Sequence, residues 1–226
     1  MVHRMTAAIK IQNLTVSFDE HKIFNDAHIT IPAKKITMLV GPSGGGKTTL
    51  LRAMNRLFSG GLISGSIWVH LDHRWVDVNG KDLDPTWLRR RMGMVLQVPR
   101  ALPLSVEENI TLPLRLVRGL SFVQAKEEAV QILEALGFWN EVSDKMNRDA
   151  RLLSRGQQQR LCLARALALK PEILLLDEPT ASLDRESMLK VFTMLKGLNL
   201  TIVASCHDQA LVNDFADYLV DINTLR

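Results

Sequence analysis

The sequence predicts an α/β fold with three parts: a parallel-sheet core, an antiparallel β-subdomain ahead of it, and a helical subdomain inserted within it. Three observations carry that prediction. A short apolar run, Ile36 to Val40, leads through a glycine-rich loop into a helical stretch from Thr49 to Met54. A second apolar run, Ile173 to Leu176, is followed by alternating helix and strand signals up to Ile222. Between Val98 and Arg151 the pattern turns helical, which interrupts the alternation.

Bulk properties suit this architecture. A chain of 226 residues with 46% hydrophobic and 23% charged residues is long enough for one α/β domain with a real core. No repeat, low-complexity tract or long linker divides it, so residues 1–226 read as a single domain with a helical subdomain at about 98–155. The net charge of +4 is mild; it suits an anionic ligand or a membrane surface and does not demand nucleic acid. Arg89-Arg90-Arg91, the densest basic run, reads as a solvated helix end because no aromatic platform accompanies it. Cys162 and Cys206 show neither metal-ligand spacing nor a disulfide framework, which points to a reducing cytosol. Met1 to Met5 carry no apolar signal-peptide core, and no apolar run is long enough to span a bilayer. A membrane role would therefore need a separate membrane-embedded partner.

The elements follow in order. Ile9, Ile11, Leu14, Val16 and Phe18 alternate with polar residues, and His28 to Ile31 closes at Pro32, as antiparallel strands do. Ser66 to Leu71 and Trp75 to Val78 read as a hairpin, with Asn79-Gly80 as a further turn signal. Asp84-Pro85 opens a short helix through Arg91, and Met92 to Gln97 returns to strand. Capping boxes are predicted at Ser105 and Ser121. Phe122, Ala125, Ala129, Ile132, Leu133 and Leu136 then share one helix face, predicted to pack as core, before Gly137 ends the helix. Strand Ile173 to Asp177, helix Asp184 to Lys196, strand Thr201 to Ala204 and a short strand near Tyr218 to Ile222 complete the sheet.

Chemistry concentrates at three places. Gly41-Pro42-Ser43-Gly44-Gly45-Gly46-Lys47-Thr48 matches G-x-x-x-x-G-K-[ST] between a strand and a helix, the context that makes this spacing a phosphate cradle. Glycines let successive backbone N–H groups converge on a polyphosphate, and the helix N-terminus adds partial positive charge there. Lys47 is expected on the β- and γ-phosphates and the Thr48 hydroxyl on Mg²⁺. The fold class is thereby a P-loop NTPase core. Asp177-Glu178 ends a strand predicted to be buried on both faces, so both acids should stand at the ligand-binding edge of the sheet. Asp177 is the expected Mg²⁺ partner and Glu178 the group that polarises the attacking water. At the third place, Ser154 and Gln157 have the spacing of a capping box, which helix initiation alone explains. Ser154, Gly156 and the first N–H groups of that helix also suit a second anion site, which suggests two copies closing over shared nucleotides.

Taken in order, the glycine loop, Gln97, Leu153-Ser154-Arg155-Gly156-Gln157, Leu174 to Glu178, Ser182-Leu183-Asp184 and His207 resemble the ATP-binding subunit of ABC transporters. The resemblance runs from Phe18 to His207. It implies a nucleotide and Mg²⁺ held by Gly41 to Thr49, with Thr48, Gln97 and Asp177 around the metal. Catalysis would fall to Glu178, His207 and Gln97, with His207 as the γ-phosphate switch. Ser154, Gly156, Gln157 and Asp184 would meet ATP or the interface from the opposite subunit. Phe18 corresponds to an adenine-stacking aromatic, although an alternating strand also buries an aromatic there. Implied partners are integral-membrane permease subunits, an identical or paired ATPase subunit and an extracytoplasmic solute-binding protein, with no nucleic acid. The implied location is the cytoplasmic face of the cell membrane.

Arg155 stands in the signature where glycine is usual, and Cys206 replaces a more usual threonine. The end of the chain soon after His207 implies no regulatory C-terminal domain. The segments around Gln97 and Gln157 to Ala166 look most like the phosphate-importer branch, with phosphate or another inorganic anion as cargo. Leu112-Pro113-Leu114 resembles lipoprotein-releasing exporters, and a soluble, non-transport ABC ATPase is the remaining alternative.

Overall fold

The computed structural model describes residues 6–180 and 182–225. Met1 to Met5, read above for signal-peptide character, lie outside the described residues, as do Ala181 and Arg226. Two compact units emerge. The first runs to Met94 and adds Glu172–Asp177 and the stretch from Asn199; the second is Val95–Pro171 with Glu178–Leu198.

The first unit opens with strands β1 (Ala7–Phe18) and β2 (His21–Pro32), then β3 (Ile36–Val40) and helix α1 (Lys47–Met54). Strands β4 (Leu62–Leu71) and β5 (Arg74–Asp77) form the predicted hairpin, extended at its start. Helix α2 (Pro85–Arg91) leads into β6 (Met92–Val95). The hairpin turns on Asp72 and His73, both at positive φ, the backbone a two-residue primed turn requires. Asn79 and Gly80 instead close a separate turn on Asp77, through its carboxylate and its carbonyl. The chain later returns with β7 (Ile173–Leu176), β8 (Thr201–Ser205), helix α8 (Gln209–Phe215) and β9 (Tyr218–Asp221).

Two sheets result. An antiparallel one has the order β2-β1-β4-β5, and a second has the order β6-β7-β8-β3-β9, in which β3, β7, β8 and β9 pair in parallel. Every residue of β7 and β8 is buried, which is why their sequences are nearly unbroken apolar runs. Ile9, Ile11, Leu14, Val16, Phe24, Leu50, Leu51, Met54, Ile67 and Val69 join Leu175 and Val203 in one core.

In the second unit, α3 (Val106–Leu116), α4 (Phe122–Ala135) and α6 (Arg155–Ala168) pack on one another, with the one-turn α5 (Trp139–Val142) between the last two in sequence. Helix α7 (Arg185–Gly197) completes it. Both predicted capping boxes form, at Ser105 and Ser121.

Local expectations are corrected at three points. The strand after α2 ends at Val95 and leaves Gln97 in an exposed loop. Phe122 is not core: it lies at the first position of α4, 49% exposed, beneath Lys126 Nζ and Arg115. Arg89 and Arg91 are not simply solvated. Arg89 donates to the Asn55 and Arg56 carbonyls, while Arg91 pairs with Asp72 and stacks on Trp87.

Candidate nucleotide site

Strand β3 delivers the glycine loop and β7 delivers Asp177. Both flank β8 in parallel, so their carboxyl ends open on the same edge of the sheet. The register aligns Met38, Ala204 and Leu176 across the three strands, with Leu39 and Ser205 paired in the next row. Asp177 follows Leu176 directly, so it extends that row.

The loop after β3 is shaped by backbone that side chains resist. Gly46 precedes α1 at φ 103°, and a Cβ there would lie 2.6 Å from Ile23 Cγ2 and 2.7 Å from Phe24 Cζ. Only glycine combines that dihedral with that close approach. No side chain caps the first turn of α1, so its N–H groups, including those near Thr48 and Thr49, remain directed at the loop. The Lys47 ammonium, buried to 5% exposure, donates to the Gly41 and Pro42 carbonyls at 2.9 Å each. Pro42, Ser43 and Gly44 are exposed, while Gly45 and Gly46 are buried beneath them.

Thr48 Oγ1 donates to Asp177 Oδ1 at 2.9 Å across 129 residues of sequence. Ser205 Oγ donates to the same oxygen at 3.0 Å. Asp177 is 1% exposed, and the two hydroxyls stabilise a carboxylate that burial alone would penalise. Sequence reasoning missed Ser205. The available signal was a hydroxyl residue ending the apolar strand Thr201 to Ala204, one residue past the row shared with Leu176. His207 is exposed in the turn between β8 and α8, beside the α8 N-cap Asp208. Phe18, at the end of β1, is half-buried, with its ring 5.3 Å from that of Phe58 at 57°.

The remaining predicted residues belong to the second unit. Gln97 Nε2 donates to Glu178 Oε2 at 2.7 Å, and Glu178 holds φ at 44°. That left-handed backbone is costly for a residue with a Cβ, a strain that clusters at functional sites. Ser154 Oγ accepts from the Gln157 N–H at 3.3 Å, and Gln157 Oε1 accepts from the Ser154 N–H at 3.2 Å. These are the bonds of helix initiation. Gly156 is required by packing: a Cβ would lie 2.8 Å from the Ser182 carbonyl oxygen, two residues before Asp184. Asp184 caps α7, where the Ser187 N–H and hydroxyl hold its carboxyl below the usual range.

A second feature went unread in the sequence. Arg160, on α6 and 6% exposed, forks onto both oxygens of Glu141 at 2.6 and 2.7 Å and stacks on Phe138. Burial pushes the Glu141 carboxyl up, but the Arg160 fork and Gln157 outweigh it, so that carboxyl titrates below its ordinary value.

The strand–loop–helix cradle and the acid-ended strand are features of many nucleotide-binding proteins; comparison with known proteins narrows the choice. The family model for the ABC transporter matches residues 24–181. The chain belongs to the ABC transporter family. Among curated relatives of this ABC chain, the phosphate import ATP-binding protein PstB 1 of Lactobacillus johnsonii is 41% identical over 216 residues, covering 93% of this chain and 79% of that protein. The phosphate import ATP-binding protein PstB of Parasynechococcus marenigrum is 40% identical over 205 residues, covering 89% and 73%. A solved ATP-binding cassette, a dimer in a post-hydrolysis state bound to ADP and Pi, is 29% identical at a TM-score of 0.80, covering 94% of this chain and 93% of that one. This chain is an ABC ATPase, an ATP-hydrolysing subunit of the transporter family, and its α/β fold is that of a P-loop NTPase core.

Proposed function

We propose that this ABC ATPase energises phosphate import through separate membrane permease subunits. The observation that carries the proposal is the likeness of about 40% to several phosphate import ATP-binding proteins over most of both chains. Among the described residues no helix is long and apolar enough to cross a membrane, so permeation itself is assigned to partner subunits. An extracytoplasmic solute-binding protein would deliver the anion, and this chain would work at the cytoplasmic membrane face. Residues 1–226 act as one ATP-binding domain with its helical subdomain at about 98–155.

Gly41 to Thr49 bind the triphosphate through loop and helix N–H groups. Lys47, held by two loop carbonyls, exchanges those weak acceptors for phosphate oxygens. The donor set suits Mg²⁺: a hydroxyl, a carboxylate and an amide oxygen are hard ligands, and Thr48 already donates its proton to Asp177, which leaves its lone pairs for a cation. Thr48, Asp177 and Gln97 would hold the ion, which would supply positive charge to offset that of the phosphates. Glu178 orients and polarises the attacking water, and His207 contacts the γ-phosphate. Phe18 offers a π-face to adenine. Two copies close over two nucleotides, with Ser154, Gly156, Gln157 and Asp184 of each facing the ATP bound by the other.

Reconstitution with phosphate permease subunits tests this. Phosphate uptake into vesicles that depends on ATP and on this chain supports it. ATPase activity without any phosphate-dependent uptake would reassign the cargo.

A further inference from the structure

Asp177 is served by two hydroxyls from two different strand ends. Thr48 Oγ1 at 2.9 Å and Ser205 Oγ at 3.0 Å both donate to Oδ1. Asp177 and Ser205 are each 1% exposed, so neither exchanges this contact for bulk water at little cost. The Thr48 contact joins the two residues already assigned to the metal. Ser205 lies outside that set.

We infer that Ser205 is a positioning residue for Asp177, whose hydroxyl holds the carboxylate in the orientation that binds a divalent cation with ATP. The physical case has two parts. A buried carboxylate with one donor rotates about its Cβ–Cγ bond far more freely than one with two donors on a single oxygen. Both bonds land on Oδ1, so Oδ2 lies outside this pair of contacts and its direction is set by them. Strand register supplies the rigidity, because Leu176 pairs with Ala204 and the next residues, Asp177 and Ser205, extend that pairing. Orientation matters here because Mg²⁺ demands near-ideal octahedral geometry and tolerates misaligned ligands poorly.

The inference rests on the Mg²⁺ reading of Thr48 and Asp177, and its test separates the two. The full chain is titrated with Mg²⁺ in the presence of a non-hydrolysable ATP analogue, with thermal stabilisation by the nucleotide as the readout and Mg²⁺-dependent ATPase beside it. Ser205→Val and Ser205→Thr form an isosteric pair that differs in the hydroxyl alone. Ser205→Val should raise the Mg²⁺ half-saturation about fivefold or more and leave metal-free nucleotide binding unchanged, with its lower thermal stability without nucleotide taken as the baseline for its titration. Ser205→Thr should restore the wild-type titration. A Val variant that titrates like wild type overturns the inference, as does a Thr variant as impaired as Val. A wild-type chain indifferent to Mg²⁺ overturns the metal reading beneath it.

Discussion

Gln97 donates its side-chain amide to Glu178 at 2.7 Å, and Glu178 sits in left-handed backbone at φ 44°. The bond joins residues 81 apart in sequence and anchors a carboxylate whose backbone conformation alone is unfavourable. Such an anchored, strained acid has the stiffness expected of a group that orients water.

Glu178→Gln keeps a hydrogen-bonding side chain for Gln97 and removes the carboxylate proposed to polarise the attacking water. Steady-state ATPase should fall by about 100-fold or more while ATP binding persists. Size-exclusion chromatography with ATP should then show a trapped dimer. Wild-type turnover in this variant would remove Glu178 from its role.

Gly46→Ala places a methyl group 2.6 Å from Ile23 at a φ of 103°. Overpacking together with the forced dihedral should cost about 2–4 kcal/mol in chemical denaturation. Nucleotide affinity should fall as well, since the loop must shift to relieve the clash.

Gly156→Ala acts differently. Alanine favours the helix by about 1 kcal/mol, which offsets only part of an overpacking cost of about 1–3 kcal/mol, so stability should fall modestly. Its Cβ meets the Ser182 carbonyl at 2.8 Å and displaces the segment leading to Asp184. ATP-dependent dimerisation, measured in the Glu178→Gln background, should weaken by about tenfold while monomer ATP binding is retained.

Glu141→Gln leaves the buried Arg160 guanidinium without its anionic partner and should destabilise the chain by about 1–3 kcal/mol in denaturant titrations. The Glu141 carboxyl is more than a third exposed, which places the effect towards the lower end. Its folded pKa lies below the ordinary value of 4.5, so its contribution is fully present above pH 4.5. That contribution is lost as pH falls from there through the folded pKa. In Glu141→Gln this part of the acid sensitivity should be absent.

Much of the site was legible because its parts are local. The glycine loop, the two acids after Ile173 to Leu176 and the caps at Ser105, Ser121 and Ser154 each depend on a few consecutive residues whose dihedrals and hydrogen bonds are set within one turn. The strand expected through Gln97 stops at Val95, although Met94 to Leu96 stays apolar beyond the point where pairing ends. Phe122 fits an apolar stripe by periodicity, yet the first position of a helix projects past the packed face.

Residue order by itself therefore determined the phosphate loop, the buried character of the central strands and the identity of the acids, because short-range sterics and hydrophobicity dictate them. The tertiary structure alone decided that Thr48 and Ser205 meet on one oxygen of Asp177, that Gln97 reaches Glu178 and that Arg160 forks onto Glu141. Those meetings depend on the strand order β7-β8-β3 and on how helices pack, which long-range burial selects and no local pattern encodes.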